Sequence, residues 1–374
     1  MEKLRIGVIG AKYAKYLLGR QLFGRSAELC AVLCPDDSAE LFDNANIEVF
    51  TDREQFLKCG IDAVIVAASI DGNAAYAARA LRSGLDVMSL PMPVSTLDEA
   101  YMLEAAVRES RRIYMYAEPN CFTPSIQLAR KMVHRGDIGR VLYAESREFS
   151  KPVRFVKADR RAYLPSTYSC SGAVGPLLYV TGYKPVRVTG AETPRADYME
   201  KLGTQNGSAG IELLEFAGGA VGRCLHGCLW SDRERELTLH GERGMLIVSG
   251  EKLIHHDFST GRKVSTVYKA APEPLFGSRI YTNENDSAAA LAVACFVALI
   301  RGNRMAREYA IDVYSAFDIS LPGLMAYRSI LDGGRAFTIP DLRRDEWREF
   351  CRHNRFTTDP NAPEKYRLPP RKKI

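Results

Sequence analysis

Leu4-Arg5-Ile6-Gly7-Val8-Ile9-Gly10-Ala11-Lys12-Tyr13-Ala14-Lys15 is the stretch that decides the architecture. The apolar run from Leu4 to Ile9 stops at Gly10, and helical apolar spacing follows from Tyr13 to Phe23. A buried parallel strand that turns at a glycine into a helix is the opening of a dinucleotide fold. There the glycine supplies the tight turn, and the free N–H groups of the next helix point at a pyrophosphate. The second and third fingerprint positions are Lys12 and Lys15, so the nucleotide is not dictated by the turn alone. Lys12 can swing aside and pair with a phosphate. A Rossmann-type fold that has lost its nucleotide fits the same residues.

Outward from this turn, strand and helix signals alternate to residue 120. Leu29 to Leu33, Ala63 to Ala67, Val87 to Ser89 and Ile113 to Ala117 read as strands. Asn73 to Arg82 and Leu97 to Ser110 read as helices between them. This alternation predicts a doubly wound parallel sheet over residues 1–122. After a helix from Pro124 to His134, strand signals dominate: Val141 to Glu148, Val186 to Glu192, Ile211 to Phe216, Val221 to Cys228, Glu236 to His240, Met245 to Val248 and Lys252 to His255. They predict a second domain, residues 123–340, built on an open-faced, mostly antiparallel sheet with helices on one face. The other face needs cover, which predicts a homodimer or larger oligomer packed sheet to sheet.

Composition closes off several classes. Hydrophobic residues are 46% and charged residues 26% of the 374, which excludes a disordered or collagen-like chain. No apolar run approaches the roughly 18 residues of a membrane span. Met1 to Arg5 runs into a strand without a secretory core, and nine scattered cysteines lack framework spacing. A reducing cytoplasm is expected. The net charge of +6 is concentrated at residues 341–374, where ten Lys/Arg face six Asp/Glu. This stretch reads as a solvated basic tail. No aromatic-interleaved basic stripe points to nucleic acid. Cys224, His226 and Cys228 share one strand face, but one strand cannot wrap a zinc ion, so packed cysteines are expected and no metal.

The framework motifs carry a resemblance. Asp62-Ala63-Val64-Ile65-Val66-Ala67-Ala68, Ala80-Leu81-Arg82-Ser83-Gly84-Leu85-Asp86-Val87-Met88, Gly136-Asp137-Ile138-Gly139-Arg140-Val141, Leu239-His240-Gly241-Glu242-Arg243-Gly244 and Ser329 to Pro340 follow one another in order and spacing. With the opening turn, the chain from Leu4 to about Leu342 resembles the Gfo/Idh/MocA family of sugar and cyclitol dehydrogenases. The resemblance implies NAD or NADP as cofactor and a sugar- or polyol-like substrate. It implies cofactor contacts from Gly10, Ala11, Lys12, Tyr13, Asp36, Ala68, Ser69, Glu118 and Asn120. Asp36 and Asp37 stand later than the usual ribose-binding acid, whose place is Cys34, and capping of the next helix is the competing role for them.

The family's acid–base residues are missing. Its Glu-Lys-Pro lysine falls on Pro91, within Met88-Ser89-Leu90-Pro91-Met92-Pro93. Its second-domain histidine and aspartate fall on Gly172 and Gly175. Neither proline nor glycine can move a proton. The segment Lys151 to Tyr168 crosses the mouth of the cleft in the family and here carries Lys151, Arg154, Lys157, Asp159, Arg160, Arg161, Tyr163 and Tyr168. Arg154 and Tyr168 are candidate substrate contacts, and Tyr168, Lys157 and Lys151 candidate proton carriers, with Glu118 from the nicotinamide side. A solvated charged loop is the competing reading. Three functions stay open: an oxidoreductase with a rearranged acid–base set, a catalytically silent relative that binds a ligand or a heteromeric partner, and a protein whose tightly bound nucleotide serves sugar chemistry without net redox change.

Overall fold

The computed structural model describes residues 2–23, 25–34, 42, 47–68, 70–150, 164–201, 207–231, 234–359 and 361–369. The first part of the chain forms β1 (Leu4–Ile9), α1 (Ala11–Arg20), β2 (Ala27–Leu33), β3 (Glu48–Phe50), α2 (Arg53–Leu57), β4 (Ala63–Val66), α3 (Ile70–Arg82), β5 (Asp86–Ser89), α4 (Leu97–Ser110) and β6 (Tyr114–Tyr116). Then come α5 (Pro124–Arg135), β7 (Val141–Phe149), α6 (Ser171–Thr181), β8 (Pro185–Glu192), α7 (Asp197–Lys201), β9 (Ala209–Phe216), β10 (Val221–Gly227), β11 (Arg235–Gly241), β12 (Gly244–Ser249), β13 (Lys252–Asp257) and β14 (Val264–Lys269). The chain ends with α8 (Glu284–Ile300), α9 (Arg304–Tyr309), α10 (Val313–Leu331), β15 (Phe337–Thr338) and α11 (Asp345–Arg352).

Among the described residues there are two sheets. The first is parallel throughout, in the order β3-β2-β1-β4-β5-β6. Its central strands are buried on both faces, which is why β1 from Ile6 and β4 read as continuous apolar runs; β5 is buried throughout too, with Asp86 and Ser89 at its ends. The second follows the order β14-β13-β12-β11-β7-β10-β9-β8-β15 and is antiparallel except where β7 meets β10. Here burial alternates: Glu212 and Leu214 on β9 face inward, Leu213 and Glu215 outward. Pro124 starts α5 at its first turn, and Gly136, with φ of 84°, ends it.

The chain divides into two compact units. One holds residues 1–94, 98–122 and 272–316; the other holds 95–97, 123–271 and 317–374. The sequence reading ran the second domain unbroken from 123 to 340. The structure instead gives Pro272–Ala316 to the first unit, for a reason local sequence does not carry. Asp286 at the start of α8 accepts the Tyr16 hydroxyl at 2.8 Å and pairs with Arg20 at 3.2 Å. Arg301 donates to the carbonyls of Glu2 and Ser26, and Tyr116 N donates to Ile311 O at 2.8 Å. The basic stretch also differs from a free tail. Leu342 and Cys351 are buried, and residues 341–369 pack within the second unit.

The loop after β5 is fixed from below. Asn73 on α3 is fully buried and donates through Nδ2 to Leu90 O at 2.9 Å and Met92 O at 3.0 Å. The Leu90–Pro91 peptide between these carbonyls is cis. We expect Asn73→Ala, which leaves both carbonyls buried and unpaired, to cost about 2 kcal/mol or more in urea unfolding. A loss near zero would show that the loop does not need this staple.

Candidate functional site

The candidate site in the first unit lies along the C-terminal edge of the parallel sheet, where doubly wound folds bind ligands. Gly10 N donates to Leu33 O at 3.2 Å, and Ala67 N donates to Ile9 O at 2.9 Å, so the ends of β1, β2 and β4 meet. Gly10 has φ of 120°, and a Cβ there would overlap the Ala67 carbonyl oxygen and come within 3.6 Å of Ala68 N. Only glycine satisfies both demands. Gly10 is also the N-cap of α1, and glycine has no side chain with which to cap that end. The first-turn N–H groups of α1, from Ala11 to Tyr13, therefore open at the strand ends and favour an anion. Lys12 is exposed beside them, and Tyr13 leans on Tyr16 with ring centroids 5.7 Å apart. Burial pushes the Tyr13 phenol well above its usual range.

The neighbouring strand ends supply polar groups. Tyr116, at the end of β6, is buried, and its hydroxyl lies 2.6 Å from Pro91 O and 3.0 Å from Glu118 Oε2. One phenolic proton is thus shared between the loop carbonyl and the carboxylate. Asn120 N donates to the other Glu118 oxygen at 3.3 Å. Burial, and then the Glu118 carboxylate, hold the adjacent Cys121 thiol well above its usual range. This arrangement occupies the place the resemblance gives to a lysine. Among the described residues Glu118 brings a carboxyl group there, held by the Tyr116 hydroxyl, and Pro91 contributes a carbonyl.

Tyr168, the candidate of the second unit that falls among the described residues, lies in the Ser166–Ser169 turn that precedes α6. Ser166 donates to Glu192 Oε1 from its N at 2.9 Å and its Oγ at 2.6 Å. Tyr168 is 2% exposed and meets Tyr327 of α10 edge to face, with centroids 6.0 Å apart. Gly172 and Gly175 lie buried in α6. Cys224 and Cys228 are neutral packed thiols; burial raises Cys228 to about 11, and burial with Glu212 holds Cys224 well above its ordinary value. His226 bonds to Glu212 rather than to the cysteines. Among the described residues no three His, Cys, Asp or Glu side chains converge as metal ligands.

The structure therefore brings Gly10, Ala11, Lys12, Tyr13, Ala68, Glu118 and Asn120 to one sheet edge, and it places Tyr168 in the turn before α6. Asp36, Ser69, Lys151, Arg154 and Lys157 lie outside the described residues. Sequence reasoning missed Asn73, Tyr116 and Glu212. Asn73 had a usable signal, a polar residue in helical register with Ala77 and Leu81 on the buried stripe of α3. Glu212 had none, because its partner is fourteen residues away on another strand.

No protein-family model and no curated protein matches the sequence. Solved structures do. An oxidoreductase from Sinorhizobium meliloti is 18% identical with a TM-score of 0.75, covering 90% of this chain and 100% of its own. An inositol dehydrogenase homologue from Azotobacter vinelandii, solved with NADH and myo-inositol, is 17% identical with a TM-score of 0.73, over 90% and 98%. A levoglucosan dehydrogenase, solved with NADH and L-sorbose, is 15% identical with a TM-score of 0.74, over 91% and 100%. The chain has the two-domain fold of the Gfo/Idh/MocA-type oxidoreductases.

Proposed function

We propose that the protein is an oxidoreductase that uses NAD or NADP on a sugar- or polyol-like small molecule, with a rearranged acid–base set. The observation that carries this reading is the Gly10 turn, pressed onto the Ala67 carbonyl and opening a glycine-capped helix end at the sheet edge. That end fits a pyrophosphate. Gly10, Ala11, Lys12 and Tyr13 would hold it, with Ala68, Glu118 and Asn120 toward the nicotinamide. When bound, the nicotinamide supplies a hydride acceptor. This chain's own residues must take the hydroxyl proton. Glu118 is a carboxylate at that edge, held by Tyr116 and Asn120, and Tyr168 is the second candidate, with Lys151 and Lys157 earlier in its segment. Pro91 and Gly172 favour the alternative of a silent ligand-binding or partner subunit, since they remove the family's own proton carriers. A nucleotide held for sugar chemistry without net redox change would share the same cradle.

Calorimetry separates these readings. NADH or NADPH should bind the full chain, and Gly10→Ala should weaken that binding by at least about tenfold, or 1.4 kcal/mol. No binding at millimolar nucleotide sinks both nucleotide-dependent readings and leaves the silent one. Where binding is seen, turnover of common sugars and inositols should be absent or slow, and Pro91→Lys with Gly172→His should not restore it. Turnover lost in Glu118→Gln and kept in Tyr168→Phe would assign the base to Glu118; the reverse result would assign it to Tyr168.

We also propose that the outward face of the second sheet joins two copies. Leu213 is 50% exposed there, beside Val221 and half-buried Ile211 and Leu225. Arg223–Glu145 and Arg147–Glu236 pairs flank them. Burying such a face against its own copy is a two-fold solution. Light scattering at micromolar protein should give a dimer or larger, and Leu213→Glu should give a monomer. A monomeric wild type overturns the assembly.

A further inference from the structure

Glu212 on β9 and His226 on β10 are completely buried, with Nε2 2.8 and 2.9 Å from the two carboxylate oxygens. Strand alternation puts both on the inward face of the sheet, and Gly210 stands opposite His226 in the ladder. The Ser166–Ser169 turn sits directly on this spot. A Cβ at Gly210 would lie 2.9 Å from Thr167 N and 3.0 Å from His226 Cε1. On the far side, a Cβ at Gly323 of α10 would overlap the Thr167 carbonyl. The turn is thus gripped between β9, β10 and α10, and Glu192 of β8 holds Ser166 beside it.

The charge under the turn is large. Among the described residues, the titratable groups that act on His226 are Glu212 on β9, Glu148 on β7 and Glu192 on β8, and Cys224 on its own strand stays a neutral thiol. Burial opposes the imidazolium, but Glu212, then Glu148 and Glu192, outweigh it and raise the His226 pKa above its ordinary value. Removing one member of such a pair strands the other charge in the interior.

We propose that the His226–Glu212 pair is a proton-controlled seat for the Ser166–Ser169 turn, one that holds Tyr168 in place while the imidazole is charged and loosens when the proton leaves. Its effect on ligand binding rests on the functional reading above; the seat itself does not. The direction follows from linkage. A histidine raised in the folded state contributes stability that is complete below its unfolded value of about 6.5 and disappears as pH climbs through the folded value.

Hydrogen exchange read by mass spectrometry on the full chain, without cofactor, tests this. After correction for intrinsic exchange, opening of the 164–170 amides should rise above pH 6.5 by up to about tenfold per pH unit. Peptides from β1 and α1 should not follow it. His226→Gln should open the turn at every pH and flatten the profile, and Glu212→Gln should open it at low pH as well. A wild-type profile without pH dependence, or an unchanged profile in His226→Gln, overturns the proposal. Should both variants fail to fold, an NMR titration of His226 in the wild type decides. A folded pKa above 6.5 that tracks the opening supports the seat, and an imidazole neutral at lower pH overturns it. Neither measurement needs nucleotide, so failure to bind NAD or NADP leaves the result readable.

Discussion

The carbonyl of Ala67 lies where a side chain at residue 10 would have to be. Much of the first unit depends on this one approach of main chain to main chain. It lets β1 end flush against β4, sends α1 back along the sheet, and leaves the helix's free N–H groups at the strand ends rather than under a side chain. The second unit repeats the device at the Ser166–Ser169 turn, where Gly210 and Gly323 let strand and helix close on the peptide of Thr167. Contacts of this kind are steric and indifferent to pH. The charged pair beside the turn is the part of the packing that responds to protons.

The places where the resemblance puts acid–base residues are filled, not empty. Around Pro91 the loop turns its carbonyls inward, to Asn73 and to Tyr116, and the latter bond ties the loop to Glu118. A lysine in place of Pro91 would have to displace hydrogen bonds that hold the surrounding loop. At Gly172 the substitution lies in a helix buried along most of its length, so a histidine there would need room as well as register. The two substitutions are built into their surroundings, and reverting them is a packing problem before it is a chemical one.

The opening turn was legible because its signals are local: an apolar run, a glycine, a helical period. The parallel sheet and the alternating strands of the second unit followed from the same kind of pattern. Two things were not local. Helices α8 and α9 come after the strands of the second unit in the chain but pack in the first, through Tyr16, Arg20, Arg301 and Ile311. The Glu212–His226 pair depends on strand register, because Cys224-Leu225-His226-Gly227-Cys228 shows which residues share a face and not what lies across the ladder. The sequence picked out His226 for the chemistry of its neighbours on the same strand, whereas its partner is on the next one.

The C-terminal stretch shows why composition misled about a tail. Counted alone, its ten basic residues read as a solvated tail laid over the surface. In the fold many are already engaged: Arg343 with Asp318 at 2.8 Å and Asp341 at 3.1 Å, Arg344 with Glu346, Arg348 with Asp345, and Arg352 with Glu349 at 3.7 Å. The exposed pairs among them, such as Arg344–Glu346 and Arg352–Glu349, contribute little, on the order of 0–1 kcal/mol each. The segment is held down by the burial of Leu342 and Cys351, by the half-buried Arg343 pairs, and by the Tyr327 hydroxyl on Pro369 O at 2.8 Å and Arg328 on Asn354 at 2.6 Å. Tyr327 is the ring against which Tyr168 rests. The last described residues and the turn before α6 are therefore fastened to neighbouring residues of a single helix, α10, and the packing of one bears directly on the other.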